Sequence, residues 1–330
     1  MTASQHGTVN EPGTGPRPAA TKRRFRVIRN PSAGIASNLS GSNEADDLRA
    51  LLERHGIDAE VLEPGDEEGA RAAARQAVAD GVDVVAAGGD GTIHIVAEEL
   101  IGTDRALGIL PMGRVMNIAR ALGIERDLES AAEVLATGEV RTIDVGEAVA
   151  ADGRAFTFLE AGSVGLNAAI FREVTRADEG EAASILRTIW VAIRYRPARM
   201  WLELDEGAIR TRALMVSVSI GPYLGLGMTV APGARLDDGL FDVRVFRGYS
   251  KWELLRHLAS IAFGRRRYAP HVSTYRSATV GVTSAHPLPA RADSYDLGHT
   301  PVTFHSRPSA LRVIAPAGDV PGDAPEPSPT

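Results

Sequence analysis

Apolar positions change their rhythm partway along the chain. Up to about residue 141, short apolar runs alternate with segments whose hydrophobic residues recur every three or four positions, whereas beyond it short stretches of alternating apolar and polar residues dominate. Residues 25–29 make a short strand that ends in a turn, Asn30, Pro31, Ser32, Ala33 and Gly34. Ala45, Leu48, Leu51 and Leu52 share one helix face up to Gly56, after which Ile57, Ala59 and Val61 alternate as a strand. An Ala- and Arg-rich helix spans 67–79. Val82, Val84, Val85, Ala86 and Ala87 then form a run suited to a parallel strand covered on both faces. Ile93, Val96, Ala97, Leu100 and Ile101 follow at helical spacing. Another apolar strand, 107–110, leads into Pro111, Met112 and Gly113, and a further helix covers 127–137.

Strand and helix thus alternate, which predicts a doubly wound parallel sheet with its ligand turns beyond the carboxyl ends of the strands. After the change of rhythm, strands are expected at 142–148, 155–160, 200–204, 212–220 and 240–246, in a largely antiparallel second domain. Two helical insertions are expected within it, 184–195 and 251–263. Both mix aromatic and aliphatic residues with arginine: Trp190, Arg194, Tyr195, Arg196 and Arg199 in and after the first, and Phe263, Arg265, Arg266, Arg267 and Tyr268 at the end of the second. Such faces suit either a membrane interface or packing on their own domain. The division expected is a disordered tail at 1–22, an α/β domain at 23–141, a β-rich domain at 142–316 and a second tail at 317–330. An alternative returns the last strand to the first domain.

Composition narrows the function. The 330 residues suffice for two cores, and a formal charge of −6 argues against wholesale nucleic-acid binding. With no cysteine, thiolate metal sites, disulfides and cysteine nucleophiles are excluded. No apolar run reaches the ~18 residues of a membrane-span candidate, and residues 1–21 lack the apolar core of a signal peptide. The expected location is cytoplasmic, with a peripheral position on the inner face of the membrane as an extension.

The chemistry concentrates in the glycine turn Gly88, Gly89, Asp90, Gly91, Thr92, between a buried strand and a helix. Missing Cβ atoms allow close approach of a ligand and permit φ > 0, and the helix N-terminus favours an anion. With the Asn30 and Gly113 turns, three turns of phosphate-binding type are expected at one sheet edge.

These stretches resemble the diacylglycerol kinase catalytic-domain family, which includes bacterial lipid kinases and sphingosine kinases. The resemblance covers about 25–316 and rests on four stretches in order: NPSAG at 30–34, GGDGT at 88–92, PMGRVMNIARALGI at 111–124 and GLGMTVAPGARLDDGLFDV at 225–243. GGDGT is shared with NAD kinases and phosphofructokinases, and the last stretch is the lipid-kinase feature. The resemblance implies an α/β fold of the NAD kinase and diacylglycerol kinase type, an N-terminal doubly wound domain followed by a β-sandwich-like domain. It implies phosphoryl transfer from ATP, with Mg2+, to a hydroxyl of a diacylglycerol-like or long-chain lipid at a membrane surface. Nucleotide would be held by Asn30, Pro31, Ser32, Gly34, Gly88, Gly89, Gly91, Thr92, Gly113 and Arg114. Asp90 would face the phosphates, engaging the metal or serving as base. Asp237 and Asp238 fall in the family's acidic metal-associated stretch, hard oxygen ligands suited to Mg2+, with a surface turn as the other reading.

Several positions depart from the family pattern. His94 and Ile95 replace the usual Asn and Glu, Arg114 and Met116 replace Thr and Asn, and Asn167 and Ile220 stand where Asp and Asn are usual. The late Asp-Gly-Glu motif, whose Glu is the proposed base, aligns with Asp293, Ser294 and Tyr295. Tyrosine ionises near pH ~10 and is a poor base at neutrality, leaving Asp293, with Asp296 beside it, as the replacement. Two alternatives follow: a catalytically silent nucleotide- or lipid-binding regulator, and a soluble small-molecule kinase of the NAD kinase type. A homodimer is a further expected assembly, and no nucleic-acid partner is expected.

Overall fold

A computed structural model describes residues 23–31, 44–175, 187, 190–191, 194–225, 227–247 and 272–318, and in it the change of rhythm becomes a change from parallel to antiparallel pairing. The first part runs β1 (Arg24–Arg29), α1 (Glu44–Arg54), β2 (Asp58–Leu62), α2 (Glu67–Ala79), β3 (Asp83–Gly88), α3 (Asp90–Leu100), β4 (Ala106–Pro111), α4 (Asn117–Ala121) and α5 (Leu128–Thr137). Its strands lie in the order β2-β1-β3-β4, all parallel. The apolar run of β3 is buried throughout from Val84, because α3 covers it with Ile93, Val96, Ala97 and Leu100, all fully buried. Asp66 starts α2 by accepting the Gly69 N–H at 2.8 Å.

The second part comprises β5 (Glu139–Val149), β6 (Ala155–Phe158), β7 (Ala161–Gly165), α6 (Leu166–Thr175), β8 (Ala198–Leu204), β9 (Gly207–Ser219), β10 (Tyr223–Leu224), β11 (Met228–Thr229), β12 (Phe241–Arg247), β13 (Val272–Ser277), β14 (Thr279–Ser284), β15 (Pro289–Ala292), β16 (Tyr295–His299) and β17 (Val302–Ala315). Its strands pair antiparallel with one another. β17 belongs to both parts: it pairs antiparallel with β5 along most of its length, with β14 near its start, and parallel with β4 near its end. The register with β5 breaks between Arg307 and Leu311, around Pro308, which has no N–H to give, and Ser309 at φ 51°. Asp144 of β5 pins this bend, accepting the Ser309 N–H at 2.8 Å and the Gly239 N–H at 2.6 Å.

Helices α4 and α6 are additions to the elements expected from the sequence. The strand expected over 155–160 stops at Phe158, because the next three N–H groups turn onto a carboxylate instead of a neighbouring strand. Of the first helical insertion only Arg187, Trp190, Val191, Arg194 and Tyr195 are described, and the second lies outside the described residues, as do residues 1–22 and 319–330.

Phe158 centres the second core, stacked on Phe241 at 5.7 Å and edge-on to Phe304 at 5.9 Å. Two strand glycines make room for these rings. A Cβ on Gly146 would lie 2.2 Å from Phe158, and one on Gly162 would lie 2.2 Å from Phe304. Phe304 is fully buried on the strand that joins the two parts. Phe304→Ala is therefore expected to lower unfolding free energy by ~3–5 kcal/mol, read from the midpoint of a urea titration.

Candidate functional site

The three turns at the carboxyl ends of β1, β3 and β4 are locked together. The Asn30 N–H donates to Ala87 O at 3.0 Å, and its side-chain amide to Thr92 Oγ1 at 3.3 Å. The Met112 N–H donates to Gly88 O at 3.0 Å. A Cβ on Gly113 would sit 2.5 Å from the Gly89 Cα, and one on Gly88 would sit 2.4 Å from Thr92 Oγ1. Gly113 is thus required by close approach of backbone to backbone, and Gly88 by the Thr92 side chain packed against it. The expected φ > 0 is absent from Gly88, Gly89, Gly91 and Gly113, and Gly89 is extended at φ −88°. The left-handed residue of this region is Met116, at φ 59°. Gly91 faces open space, and Arg114 and Pro31 are exposed. Ser32 and Gly34 lie outside the described residues.

Asp90 explains the strained Met116. Its carboxylate accepts the N–H groups of Met116 at 2.8 Å and Ile118 at 3.2 Å, so it closes the N-terminus of α4 onto the glycine turn. Burial raises the pKa of Asp90 against these donors, and the nearby negative charge of Asp293 adds to the rise. Asp293, at φ 42°, is still more occupied. It accepts from the backbone of Leu159 at 2.7 Å, Glu160 at 3.2 Å and Ala161 at 3.0 Å. Both carboxylates expected to be catalytic therefore already serve backbone donors.

His94 links the two parts of the molecule. Its Nε2 lies 3.2 Å from Glu98 Oε1, and its Nδ1 lies 3.5 Å from Asp293 Oδ2, a distance for charge attraction rather than a well-made hydrogen bond. Burial opposes its protonation, but the two carboxylates outweigh it and carry the imidazole pKa up to about 9. Glu98 responds in the opposite sense. Burial would raise its pKa, yet His94 and Arg71, whose Nη1 is 2.5 Å from Glu98 Oε2, hold it down to about 2. Tyr295 donates its hydroxyl to Glu98 Oε1 at 3.2 Å and packs on the His94 ring at 5.4 Å. Burial and the Glu98 charge push its pKa up, further from use as a base. His94, which the sequence reading treats as a departure from the family, is thus the centre of an ion-paired clasp between α3 and the β15–β16 turn.

Residues not singled out from the sequence complete the site. Glu160, in the turn between β6 and β7, accepts the Asn117 side-chain amide at 2.7 Å through Oε2. Asn117 also donates to Gly225 O at 2.9 Å, while its own Oδ1 is buried without a partner. Arg291 reaches the Asp293 carbonyl and lies over the Phe171 ring at 3.7 Å, leaving Nε buried and unpaired. Burial lowers its pKa against the pull of Asp293 and Glu160. The only sequence signal for Asn117 was its place in the third turn. Glu160 and Arg291 carried none, since Glu160 meets Asn117 and Asp90, and Arg291 meets Phe171, only through tertiary contact.

Asp237 and Asp238 stand in other company. Asp237 pairs with Arg235 at 3.3 Å, and Asp238 pairs with Arg276 and accepts the Leu240 N–H at 3.0 Å. Among the described residues no group of three or more acidic or histidine side chains is disposed to hold a metal ion. As they stand, side chains engaged by arginine do not fit Mg2+, and no chemical step is derived through it.

Comparison with known proteins accords with this geometry. Residues 24–148 match the diacylglycerol kinase catalytic domain, and residues 161–315 match the YegS C-terminal NAD kinase beta sandwich-like domain. A Mycobacterium tuberculosis diacylglycerol kinase is 28% identical over 302 residues, covering 89% of this chain and 95% of that protein. A Bacillus subtilis diacylglycerol kinase is 26% identical over 313 residues, covering 89% of this chain and 97% of that protein. A crystal structure of a diacylglycerol kinase from Bacillus anthracis superimposes with a TM-score of 0.67 at 17% identity, over 91% of this chain and 98% of the other, which shows the shared fold. Neither the silent regulator nor the soluble small-molecule kinase finds support among these relatives.

The clasp has a pH signature. His94 is raised from 6.5 to about 9 on folding, so its stabilisation is complete below pH 6.5 and is lost as pH rises through about 9. Melting temperature is expected to fall over that window, and His94→Gln to flatten the fall, in thermal denaturation at stepped pH.

Proposed function

We propose that this chain, which belongs to the diacylglycerol kinase catalytic-domain family of lipid kinases, transfers the γ-phosphoryl group of ATP to a hydroxyl of a diacylglycerol-like or long-chain lipid. A kinase of this family works in general with a nucleoside triphosphate and a divalent cation. The observation that carries the specific reading is the convergence of the three strand-end turns, through Asn30–Thr92, Met112–Gly88 and the Gly89–Gly113 contact, on one glycine-lined edge.

At that edge, the bare backbone at Gly88, Gly89 and Gly113 and the N-terminus of α3 offer N–H donors to phosphate oxygens. Arg114, exposed on the third turn, is placed to add a guanidinium. Asp90 would act by holding the glycine turn against α4, so that the phosphate chain and the acceptor meet in fixed geometry. Positioning of this kind, with stabilisation of charge, is most of what phosphoryl transfer requires. The acceptor would enter from the side of β6, β7 and β15, where Glu160 and Arg291 lie.

We place the reaction at a membrane surface, on the cytoplasmic side, because the acceptor is an amphiphile. Trp190 is 59% exposed, with the Arg194 guanidinium 5.0 Å from its ring centre, an arrangement that suits an interface with anionic headgroups. No helix among the described residues is long and apolar enough to cross a membrane.

Incubation with labelled ATP, Mg2+ and phospholipid vesicles containing diacylglycerol is expected to yield labelled phosphorylated lipid. Vesicles without a free lipid hydroxyl should yield none. Gly113→Ala, which forces the two turns apart, is expected to cut kcat/KM by ~10²-fold, the scale of an ångström-sized misplacement. Absence of labelled lipid above the vesicle blank would sink the reading.

A further inference from the structure

We propose that Glu160 takes the proton of the acceptor hydroxyl, oriented for that task by Asn117. The proposal rests on the lipid kinase reading and adds to it the group that moves the proton.

The buried acids near the glycine turn differ in what their oxygens already do. Asp90 accepts two α4 N–H groups. Asp293 accepts three backbone N–H groups and faces His94. Glu98 is bound to His94, Arg71 and Tyr295. A proton taken up by any of these would disrupt a hydrogen bond or ion pair that supports the fold. Glu160 differs from them. Oε2 accepts from Asn117, and Oε1 makes no hydrogen bond among the described residues, on a side chain that is only partly buried.

Its backbone is held firmly. The Glu160 N–H donates to Asp293, and its carbonyl accepts the Ile220 N–H at 3.0 Å. Asn117 follows the Gly113 turn by one short loop, so the hydrogen bond from Asn117 fixes Glu160 to the same element that closes the nucleotide edge. The carboxyl group therefore sits beside the glycine turn, anchored at one oxygen and open at the other. A base needs this arrangement: a fixed direction and a free lone pair.

Its surroundings tune it in the useful direction. Burial, then the negative charges of Asp293 and Asp90, raise its pKa well above the ordinary carboxylate range, against the opposing pull of Asn117 and Arg291. His94 lies beyond Asp293, and its own pKa is carried up to about 9. A carboxylate whose pKa is raised in this way is a stronger base than an ordinary one.

In the step itself, the acceptor O–H bond breaks and its oxygen forms a bond to the γ-phosphorus. The bond from that phosphorus to the β,γ-bridging oxygen breaks, its electron pair leaving with ADP. The hydroxyl proton passes to Glu160 Oε1.

The test compares wild type, Glu160→Gln and Glu160→Asp. It measures kcat against pH with diacylglycerol vesicles, ATP affinity by direct titration, and fold by circular dichroism. In wild type, kcat is expected to rise with pH along an acid limb set above the ordinary carboxylate range. In Glu160→Gln, kcat is expected to fall ~10²–10⁴-fold, the limb to vanish, and ATP affinity to stay within ~3-fold of wild type, the scale of ordinary surface effects. Glu160→Asp should lose rate but keep the limb, and it decides the matter if Gln prevents folding. A Gln variant with wild-type kcat, or an Asp variant unchanged in kcat where Gln does not fold, overturns the proposal while leaving the lipid kinase reading intact. A wild-type protein with no lipid phosphorylation overturns both.

Discussion

The pairing of β5 with β17 is the constraint on which the rest of the structure depends. β5 leaves the parallel part directly after α5 and enters the antiparallel part, while β17 comes back from the end of the chain to lie beside it. The same strand that packs Phe304 into the second core also places Val313 and Arg312 against β4. The two parts are joined by a shared strand rather than by a linker. The register of the two strands shifts at the bend of Pro308 and Ser309, and that bend is secured by one carboxylate, Asp144, accepting backbone N–H groups. Burial raises the pKa of this acid, and the amide donors, standing in for the water it has lost, oppose the rise.

The same device recurs in the cleft. Asp90 and Asp293 are both negative groups removed from water, and both are stabilised by main-chain N–H donors of the opposite structural partner: α4 for the first, the β6–β7 turn for the second. His94 then supplies the cation between Glu98 and Asp293, and Arg291 supplies another on the far side. Removing one member of such a network exposes an uncompensated charge, which is costlier than the pair was stabilising. Two of the positions where this chain departs from the family pattern are therefore coupled. His94, Tyr295 and Glu98 form one connected set, so a histidine in place of the usual residue and a tyrosine late in the chain belong to a single rearrangement.

Much of the fold was legible because periodicity reports burial. The α/β alternation, the α2 and α5 helices and the core strands of the parallel part all follow from apolar spacing, and the glycine turn was identifiable from residue type alone. Three things were hidden. Helix α4 is short and begins at a left-handed Met116, a conformation that exists only because Asp90 accepts its N–H group. The reason for the glycines was half seen: the close approach was legible, but φ > 0 was not needed there. Glu160, Asn117 and Arg291 lie on separate elements, and nothing in their local sequence reveals that they face one another. Asp237 and Asp238 show the reverse error of local reading, since an acidic pair on a turn looks like a cation site until its arginine partners are seen.

The shared strand also bears on how the protein is made. β4 is synthesised early, but its neighbour β17 emerges only after about two hundred further residues, during which the β4 edge has no native strand to pair with. An unpaired apolar edge is open to wrong partners. A nascent chain cut short of Val313 would hold every glycine of the three turns while the β4 edge still lacked its partner strand.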